Sequence, residues 1–376
     1  MKKHIFLPLV SALIILSTII ACNKTDGNKK ADPTNNLDRG PILANYADNY
    51  ILPAYDAMVF TLTHLQQEMI AFTSNPTEGT LNAAQFAYED AYHTWQRVDL
   101  INFGPASDKS LRSFVNIYPV TVSKLNNNIS SGTYNLEEFG NKDAQGLPAL
   151  DYLLFGIASD KPAILAMYTT DAQASARKKY LNDVVAKMLE KVTAVRDEWS
   201  VYKNTFVNST GTDAGSSLSL MVNGIVMYYE RYLRSAKIGL PVGAMTSVIK
   251  PELSEAYYHP TLSGQLAAEA NKAFRAFYFG NHYGSTLVGE SMYTYLGAIG
   301  TQDGNGALMA DVVLSELDDV SYKLSNIATT VQGDVVNNKI HILETYEQMQ
   351  EVVPLLKVDM VSAFSISITY TDNDGD

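Results

Sequence analysis

The amino-acid sequence predicts an all-α fold of two helical-bundle domains packed against each other, with a short β element near the C-terminus. From Leu37 onward the apolar residues recur mainly with a helical period, and clusters of Gly, Pro, Asn and Ser separate the segments. The most polar internal stretch, 204–217, lies near the middle of the chain and predicts a boundary between two domains. Large residues alternate with Ser and Thr in 364–371, which is the period of a strand.

The helical period defines the individual elements. It predicts helices at about 37–73, 80–103, 110–129, 147–157, 172–206, 214–238, 261–279, 307–330 and 338–357. The segment 214–238 shows the pattern best at roughly 100° per residue. One side carries Leu218, Met221, Ile225, Tyr229, Tyr232, Leu233 and Ala236. The opposite side carries Asn223, Glu230, Arg234 and Lys237.

The N-terminal residues predict export. Lys2 and Lys3 precede a short apolar run, and Ala21 stands directly before Cys22, the single cysteine of the chain. This pattern predicts a signal peptide over 1–22 that ends in a lipobox, with lipidation at Cys22. The polar residues 23–36 predict a flexible tether, followed by an N-terminal helical domain at 37–205 and a C-terminal one at 213–376. The predicted location is the bacterial cell envelope, where the lipid anchors the protein to the membrane.

Composition limits the classes of partner. The chain has 376 residues and a formal net charge of −12, which repels a phosphate backbone and argues against nucleic acid as a partner. The exported part has no second cysteine with which to form a disulfide, so its stability depends on its core. No nucleophile elbow or phosphate loop is present, and no local motif supports hydrolysis.

The stretch GLPALDYLLFG, 146–156, places one carboxylate in an almost wholly apolar run. Because a buried carboxylate is costly unless something pairs with it, Asp151 either joins two parts of the fold or belongs to a site. As a fold contact, it would meet a cation, for which the candidates are Arg97, Arg112, Arg231 and Lys237. As a site residue, it would share a cleft with other polar groups.

Two other groups are weak metal candidates beside Asp151. Glu89 and His93 are four residues apart on a predicted helix, a spacing that can hold a metal but more often forms a surface pair. Asp372, Asp374 and Asp376 alternate near a Gly like the start of a calcium loop, although the bidentate Glu of an EF-hand is missing. A solvated acidic tail is the simpler interpretation. Calcium is the metal that the acidic tail suggests.

Several motifs in a fixed order resemble the imelysin family. They are Trp95-Gln96, Gly104-Pro105, Tyr118-Pro119, GLPALDYLLFG at 146–156, NGIVMYYERYLRSAKIGLPVGAM at 223–245, Pro251 and EAYYHPTLS at 255–263. The resemblance covers nearly the whole exported chain. It implies an all-helical fold of two bundle-like domains, a site in the cleft between them, and a role tied to iron acquisition.

The resemblance also implies which residues form the site. Many relatives carry Gly-x-His-x-x-Glu, in which the His and the carboxylate share a helix face and can bind a metal. Here Pro148 stands at the His position and Asp151 at the carboxylate position, so the metal pair is incomplete. The candidate ligand-binding residues are Trp95, Gly146, Pro148, Asp151, Asn223, Glu230, Lys237 and Pro241.

Three functions follow as hypotheses. The first is a lipid-anchored binding protein without enzymatic activity that holds an iron-bearing ligand or an envelope iron-uptake component in the cleft. The second is a metallopeptidase with ligands distant in sequence, such as His93 or His259 with Asp151. The third is a structural component of an outer-membrane assembly.

Overall fold

The computed structural model of the protein describes residues 37–259, 261–327 and 330–371, and most of them are helical. The predicted signal peptide 1–22 with Cys22, the tether 23–36 and the acidic tail with Asp372, Asp374 and Asp376 lie outside the described residues. The all-α class and the pair of packed bundles are confirmed.

Twelve helices organise the described residues, and four of them contain π-helical turns. They are α1 (Gly40–Asn45, Tyr46–Ile51, Leu52–Ser74), α2 (Glu78–Val98), α3 (Val122–Ser131), α4 (Gly146–Asp151, Tyr152–Gly156), α5 (Lys161–Thr169), α6 (Ala174–Asn208), α7 (Ser217–Met227, Tyr228–Gly239, Leu240–Val242), α8 (Leu262–Phe279), α9 (Met292–Ile299), α10 (Met309–Ser325), α11 (Val331–Asn337) and α12 (Lys339–Pro354, Leu355–Met360, Val361–Ala363). Short turns lie at Pro105–Asp108, Arg112–Val115, Phe139–Ala144 and Pro251–Leu253.

The first bundle is built on α1, α2 and α6, with α4 and α5 packed against α6. Thr77 caps the N-terminus of α2 through a capping box with Thr80, which fixes the tight turn after α1. The second bundle consists of α7, α8, α10 and α12, and α8 also packs against α2. The buried apolar residues of both bundles therefore form one continuous core.

Residues at the start of α1 connect the two bundles. Arg39 donates hydrogen bonds to the Tyr295 hydroxyl and to the backbone carbonyls of Gly211 and Phe364. The Tyr46 hydroxyl donates to the Phe277 carbonyl and accepts from the Met292 N–H. These bonds hold α1 against elements of the second bundle.

The predicted β element near the C-terminus is wrong. Residues 364 and 365 form a turn after α12, and 366–371 form no strand. The only β pairing in the described ranges is two isolated bridges, Asn281–Val288 and Gln302–Leu308. A side chain replaces the missing strand: Asn223 donates to the Ser367 carbonyl at 3.1 Å and accepts from the Thr369 N–H at 2.8 Å. The alternation indicates an extended chain with Ile366 buried, but a strand also needs a backbone partner.

The predicted helix at 110–129 is two separate pieces, Arg112–Val115 and α3. Pro119 lies between them, and it has no N–H with which to continue a helix. The predicted helix at 307–330 ends at Ser325, and α11 begins separately at Val331. Among the described helices, none combines the length and the apolar composition that a bilayer crossing requires.

Candidate functional site

Two adjoining cavities share part of their lining. The larger has a volume of about 460 Å³ and the smaller about 200 Å³, and Tyr118 and Pro119 line both. The larger is lined by Asp99, Asn102, Ser107, Ser110, Arg112, Ser113, Asn116, Ile117, Tyr118, Pro119, Tyr232, Ala236, Leu240 and Leu253. The smaller is lined by Tyr118, Pro119, Val120, Pro148, Asp151, Glu252, Ser254, Ala256, Tyr257 and Tyr258. Residues from both halves of the chain form the walls.

A buried ion pair of the second half lies beside the cavities and is hydrogen-bonded to residues of the first half. Lys237 on α7 binds Glu255, and each side chain is 2% exposed. The Lys237 ammonium also donates to Gln96 Oε1 on α2 at 2.7 Å, and Asn116 donates to Glu255 Oε1 at 2.7 Å. The Tyr92 hydroxyl completes the network by donating to Asn116 at 2.8 Å. Every charge in this network has partners, as a buried pair requires.

A second ion pair forms part of the wall of the larger cavity. Arg112 donates from Nε to Asp99 Oδ1 at 2.6 Å and from Nη2 to the Asp99 carbonyl at 2.7 Å. Its guanidinium lies 3.4 Å from the centroid of the Tyr232 ring, which adds a cation–π contact. Burial raises the pKa of Asp99 and outweighs the opposing effect of Arg112.

Asp151 lies at the C-terminal end of the first part of α4 and is 2% exposed. Its Oδ2 accepts a hydrogen bond from the Tyr258 N–H at 2.8 Å. Burial raises the pKa of Asp151 to about 7, although this backbone hydrogen bond lowers it. This hydrogen bond links α4 to the 251–258 segment of the second half. The other carboxyl oxygen, Oδ1, is shielded from solvent and has no hydrogen-bond partner among the described residues.

The cations proposed as partners of Asp151 pair with other groups in the structure. Lys237 binds Glu255 and Arg112 binds Asp99. Arg97 binds Glu269, and Arg231 donates to the Thr371 carbonyl. Asp151 is thus a hydrogen-bonded buried acid rather than half of an ion pair.

The start of α4 depends on Gly146 and Pro148. Gly146 has φ +77°, and a Cβ on it would lie 2.4 Å from the Val115 carbonyl oxygen. Only glycine fits this close backbone approach. Pro148 sits in the first turn of α4, where its missing N–H costs nothing, and its side chain lines the smaller cavity with Asp151.

The remaining candidate residues are dispersed. Trp95 is buried in α2, and Pro241 is buried in the last turn of α7. Asn223 binds the extended C-terminal segment, whereas Glu230 contacts Lys357 and accepts from the Tyr370 hydroxyl at 3.0 Å. Of the polar face predicted on α7, Lys237 alone reaches the network beside the cavities. The π-helical turns over Tyr228–Gly239 change the rotation per residue, so this face does not stay together.

The histidines form no metal cluster in the described ranges. Glu89 bonds His259 at 2.8 Å instead of pairing with His93, and burial lowers the pKa of His93. The His259 ring packs on Phe155, while Asp151 binds the Tyr258 amide. Within these ranges, no group of three or more His, Cys, Asp and Glu side chains could hold a metal ion.

Glu255, Gln96, Asn116 and the Asp99–Arg112 pair are absent from the site residues predicted from the sequence. Glu255 and Gln96 carried a usable signal, because they stand in the EAYYHPTLS and Trp95-Gln96 motifs. Asn116 and Asp99 stand in no such motif, and Arg112 was only a candidate partner of Asp151. Their roles depend on contacts between distant residues, such as the 141 positions that separate Gln96 from Lys237.

Comparisons with known proteins agree with this architecture. The model of the imelysin family matches residues 51–351. An iron-regulated protein A precursor from Parabacteroides distasonis has a similar structure, with a TM-score of 0.69 and 16% identity over 90% of this chain and 97% of that one. An imelysin-like protein from Psychrobacter arcticum gives a TM-score of 0.64 and 16% identity over 92% and 99%. The search of curated protein sequences gives no match. Because the family model covers most of its length, this chain belongs to the imelysin family.

Proposed function

We propose that the protein is a binding protein without enzymatic activity that serves iron acquisition at the cell envelope. It holds an iron-bearing ligand, or an iron-bearing envelope component, in the cleft between the bundles. The observation that carries this proposal is the pair of adjoining cavities, about 460 and 200 Å³, walled by both halves of the chain. Family membership and the iron-regulated description of a structural relative supply the link to iron.

The chemistry of the walls favours binding over peptide hydrolysis. Pro148 stands where many relatives have the His of the metal motif, and a proline nitrogen in a peptide bond offers no lone pair to a metal. Asp151 accepts a hydrogen bond from the Tyr258 N–H, and His259, which follows Tyr258 in the chain, is bonded to Glu89. A metallopeptidase needs several ligands on one metal, and the described residues offer no such group.

Calorimetric titration of the purified exported protein tests the binding role. The titrants are ferric iron, ferrous iron, haem and extracts of envelope iron-uptake components, each under buffer conditions that keep it soluble. At least one iron-bearing titrant should give saturable heat, and Ala236→Phe should weaken it by filling the larger cavity. Ala172→Phe is the matched control, because it adds the same ring to an exposed position. Flat titrations throughout would refute the proposal.

The lipid anchor at Cys22 has a separate test. The full-length protein should fractionate with membranes, since a lipid on Cys22 with the 23–36 tether would hold the helical body there. Cys22→Ser should release the protein into the soluble fraction. A wild-type protein found only in the soluble fraction would contradict the anchor while leaving the binding role open to its own test.

A further inference from the structure

The larger cavity has a lining that is electrically neutral. Asp99 and Arg112 are the charged residues among those that line it, and they bind each other at 2.6 Å. The remaining polar lining residues, such as Asn102, Ser107 and Ser110, carry no charge. The lining therefore offers no free counter-charge to the part of a ligand that contacts it, so it favours an uncharged group there over a charged one.

Arg112 uses two of its three donor nitrogens on Asp99. Nε and Nη2 donate to Asp99, and Nη1, which has no hydrogen-bond partner among the described residues, is shielded from solvent. The Tyr232 ring covers the guanidinium at 3.4 Å. An arginine that recognises an oxyanion presents its N–H fork to the ligand, and this arginine presents its fork to Asp99 instead.

The cavity nevertheless retains hydrogen-bonding capacity. The Asn102 amide forms no hydrogen bond within the described ranges, and the Asp99 oxygen Oδ2 accepts none there. The hydroxyls of Ser107 and Ser110 stand at exposed positions of the same wall. Donors and acceptors are thus available together, as a ligand hydroxyl requires because it donates and accepts.

The rest of the lining includes apolar residues. Ile117, Pro119, Ala236, Leu240 and Leu253 provide C–H surface. A ring that carries hydroxyls on its edge and C–H groups on its faces matches both kinds of lining. We propose that the larger cavity binds a neutral, hydroxyl-bearing ring with the size and polarity of a hexopyranose. The inference rests on the proposed function only in placing a ligand in the cleft.

A panel of matched sugars tests the inference by saturation-transfer NMR titration of the wild-type protein. Glucose, galactose, mannose and N-acetylglucosamine are the neutral probes. Glucuronate carries one negative charge on a similar ring, and glucosamine carries one positive charge. At least one neutral sugar should bind about tenfold more tightly than either charged sugar. A tenfold difference in affinity is the size of effect expected when one polar group of the ligand is buried without a partner.

Two variants then locate the binding. Ala236→Phe should weaken the neutral sugar about tenfold or more, and Ala172→Phe should leave its affinity unchanged. Asn102→Ala, at a half-buried position with no other hydrogen bond, should weaken binding about threefold or more even if Ala236→Phe fails to fold.

The inference is overturned if no neutral sugar binds, if a charged sugar binds equally well, or if neither folded cavity variant changes the affinity. Its failure is distinguishable from failure of the iron role. Sugar binding with flat iron and haem titrations would remove the iron role alone. Saturable binding of an iron-bearing titrant with no response to any neutral sugar would remove this inference alone.

Discussion

Lys237 and Glu255 are each 2% exposed at the side chain, and each depends on the other to offset its buried charge. Gln96 and Asn116 satisfy the remaining hydrogen-bonding atoms of the pair. At the residue scale, this network links the ion pair of the second half to Gln96 and Asn116 of the first half. The net contribution of such a pair is modest, but removal of one partner leaves the other stranded.

The variant Lys237→Met tests this dependence. It should lower the free energy of unfolding by about 3–5 kcal/mol, because the Glu255 carboxylate stays buried without its counter-charge. The double variant Lys237→Met/Glu255→Gln should recover most of the loss, since it buries no charge. Urea denaturation of the three proteins measures both values. A loss below about 1 kcal/mol in the single variant would contradict the burial of this pair, because a loss that small is typical of solvent-exposed ion pairs.

The raised pKa of Asp151 predicts that the folded protein becomes less stable as the pH rises. Burial raises its folded-state pKa to about 7, above the ordinary value of 3.8. Between these two values the folded protein binds a proton that the unfolded chain lacks, so the contribution of Asp151 to stability decreases from about pH 4 to pH 7. Above pH 7 the buried carboxylate is ionised and its penalty is complete.

The variant Asp151→Asn removes this titration while it keeps an acceptor for the Tyr258 N–H. Between pH 5 and pH 8, the free energy of unfolding of the variant should rise relative to that of the wild type by on the order of 3 kcal/mol. Urea denaturation at both pH values gives the difference. Asp56→Asn, which changes an exposed carboxylate, serves as the control and should show little pH-dependent difference. Equal effects of Asp151→Asn at both pH values would refute the raised pKa.

At the scale of elements, the entry to α4 places Asp151 and Pro148 against the cavity. The chain passes so close to the Val115 carbonyl that Gly146 has no space for a side chain, and its φ of +77° is also unfavourable for other residues. The position of the whole helix therefore depends on one glycine.

Two alanine variants separate backbone strain from steric conflict. Gly132 has φ +65° at the end of α3, with open space where a Cβ would be placed, so Gly132→Ala should cost about 1–2 kcal/mol for strain alone. Gly146→Ala carries similar strain and also forces the Val115 backbone to move, so its loss should be larger by about 2 kcal/mol or more. Thermal denaturation compares the two variants, and equal losses would contradict the close approach.

At the scale of the whole molecule, the two bundles share one continuous core. Arg39, near the start of the described chain, is 3% exposed and bonds Tyr295 and the Phe364 carbonyl. Helix α8 packs against α2 as well as against its own bundle. Contacts of this kind couple the unfolding of one half to that of the other.

Scanning calorimetry of the purified protein should therefore show a single cooperative transition. Arg39→Ala should lower the midpoint of that transition without splitting it, because three hydrogen bonds, two of them buried, are lost and the core remains. Arg196→Ala, which breaks exposed pairs with Asp56 and Asp197, should shift the midpoint little. Two resolved transitions in the wild type would show that the bundles unfold independently.

The sequence by itself determined the helical class, the family and most helix positions. Apolar periodicity and the spacing of turn residues are local properties, so long segments such as 172–206 and 261–279 match α6 and α8 closely. It also identified Asp151 as a buried acid, because a single carboxylate in an apolar run is visible without a structure. The alternation of large and small residues in 364–371 is also a local property. The lack of a partner strand for this segment depends on tertiary structure, so the sequence pattern could not predict it.

The tertiary structure decided which charge meets which. Four cations were open as partners of Asp151, and each pairs with a group that local pattern could not select. The π-helical turns in α7 and the approach of 251–258 to α4 set these distances. A buried side chain bonds whatever the packed chain brings within about 3 Å, and the bonds from Lys237 to Gln96 and from Tyr258 to Asp151 join residues more than 100 positions apart.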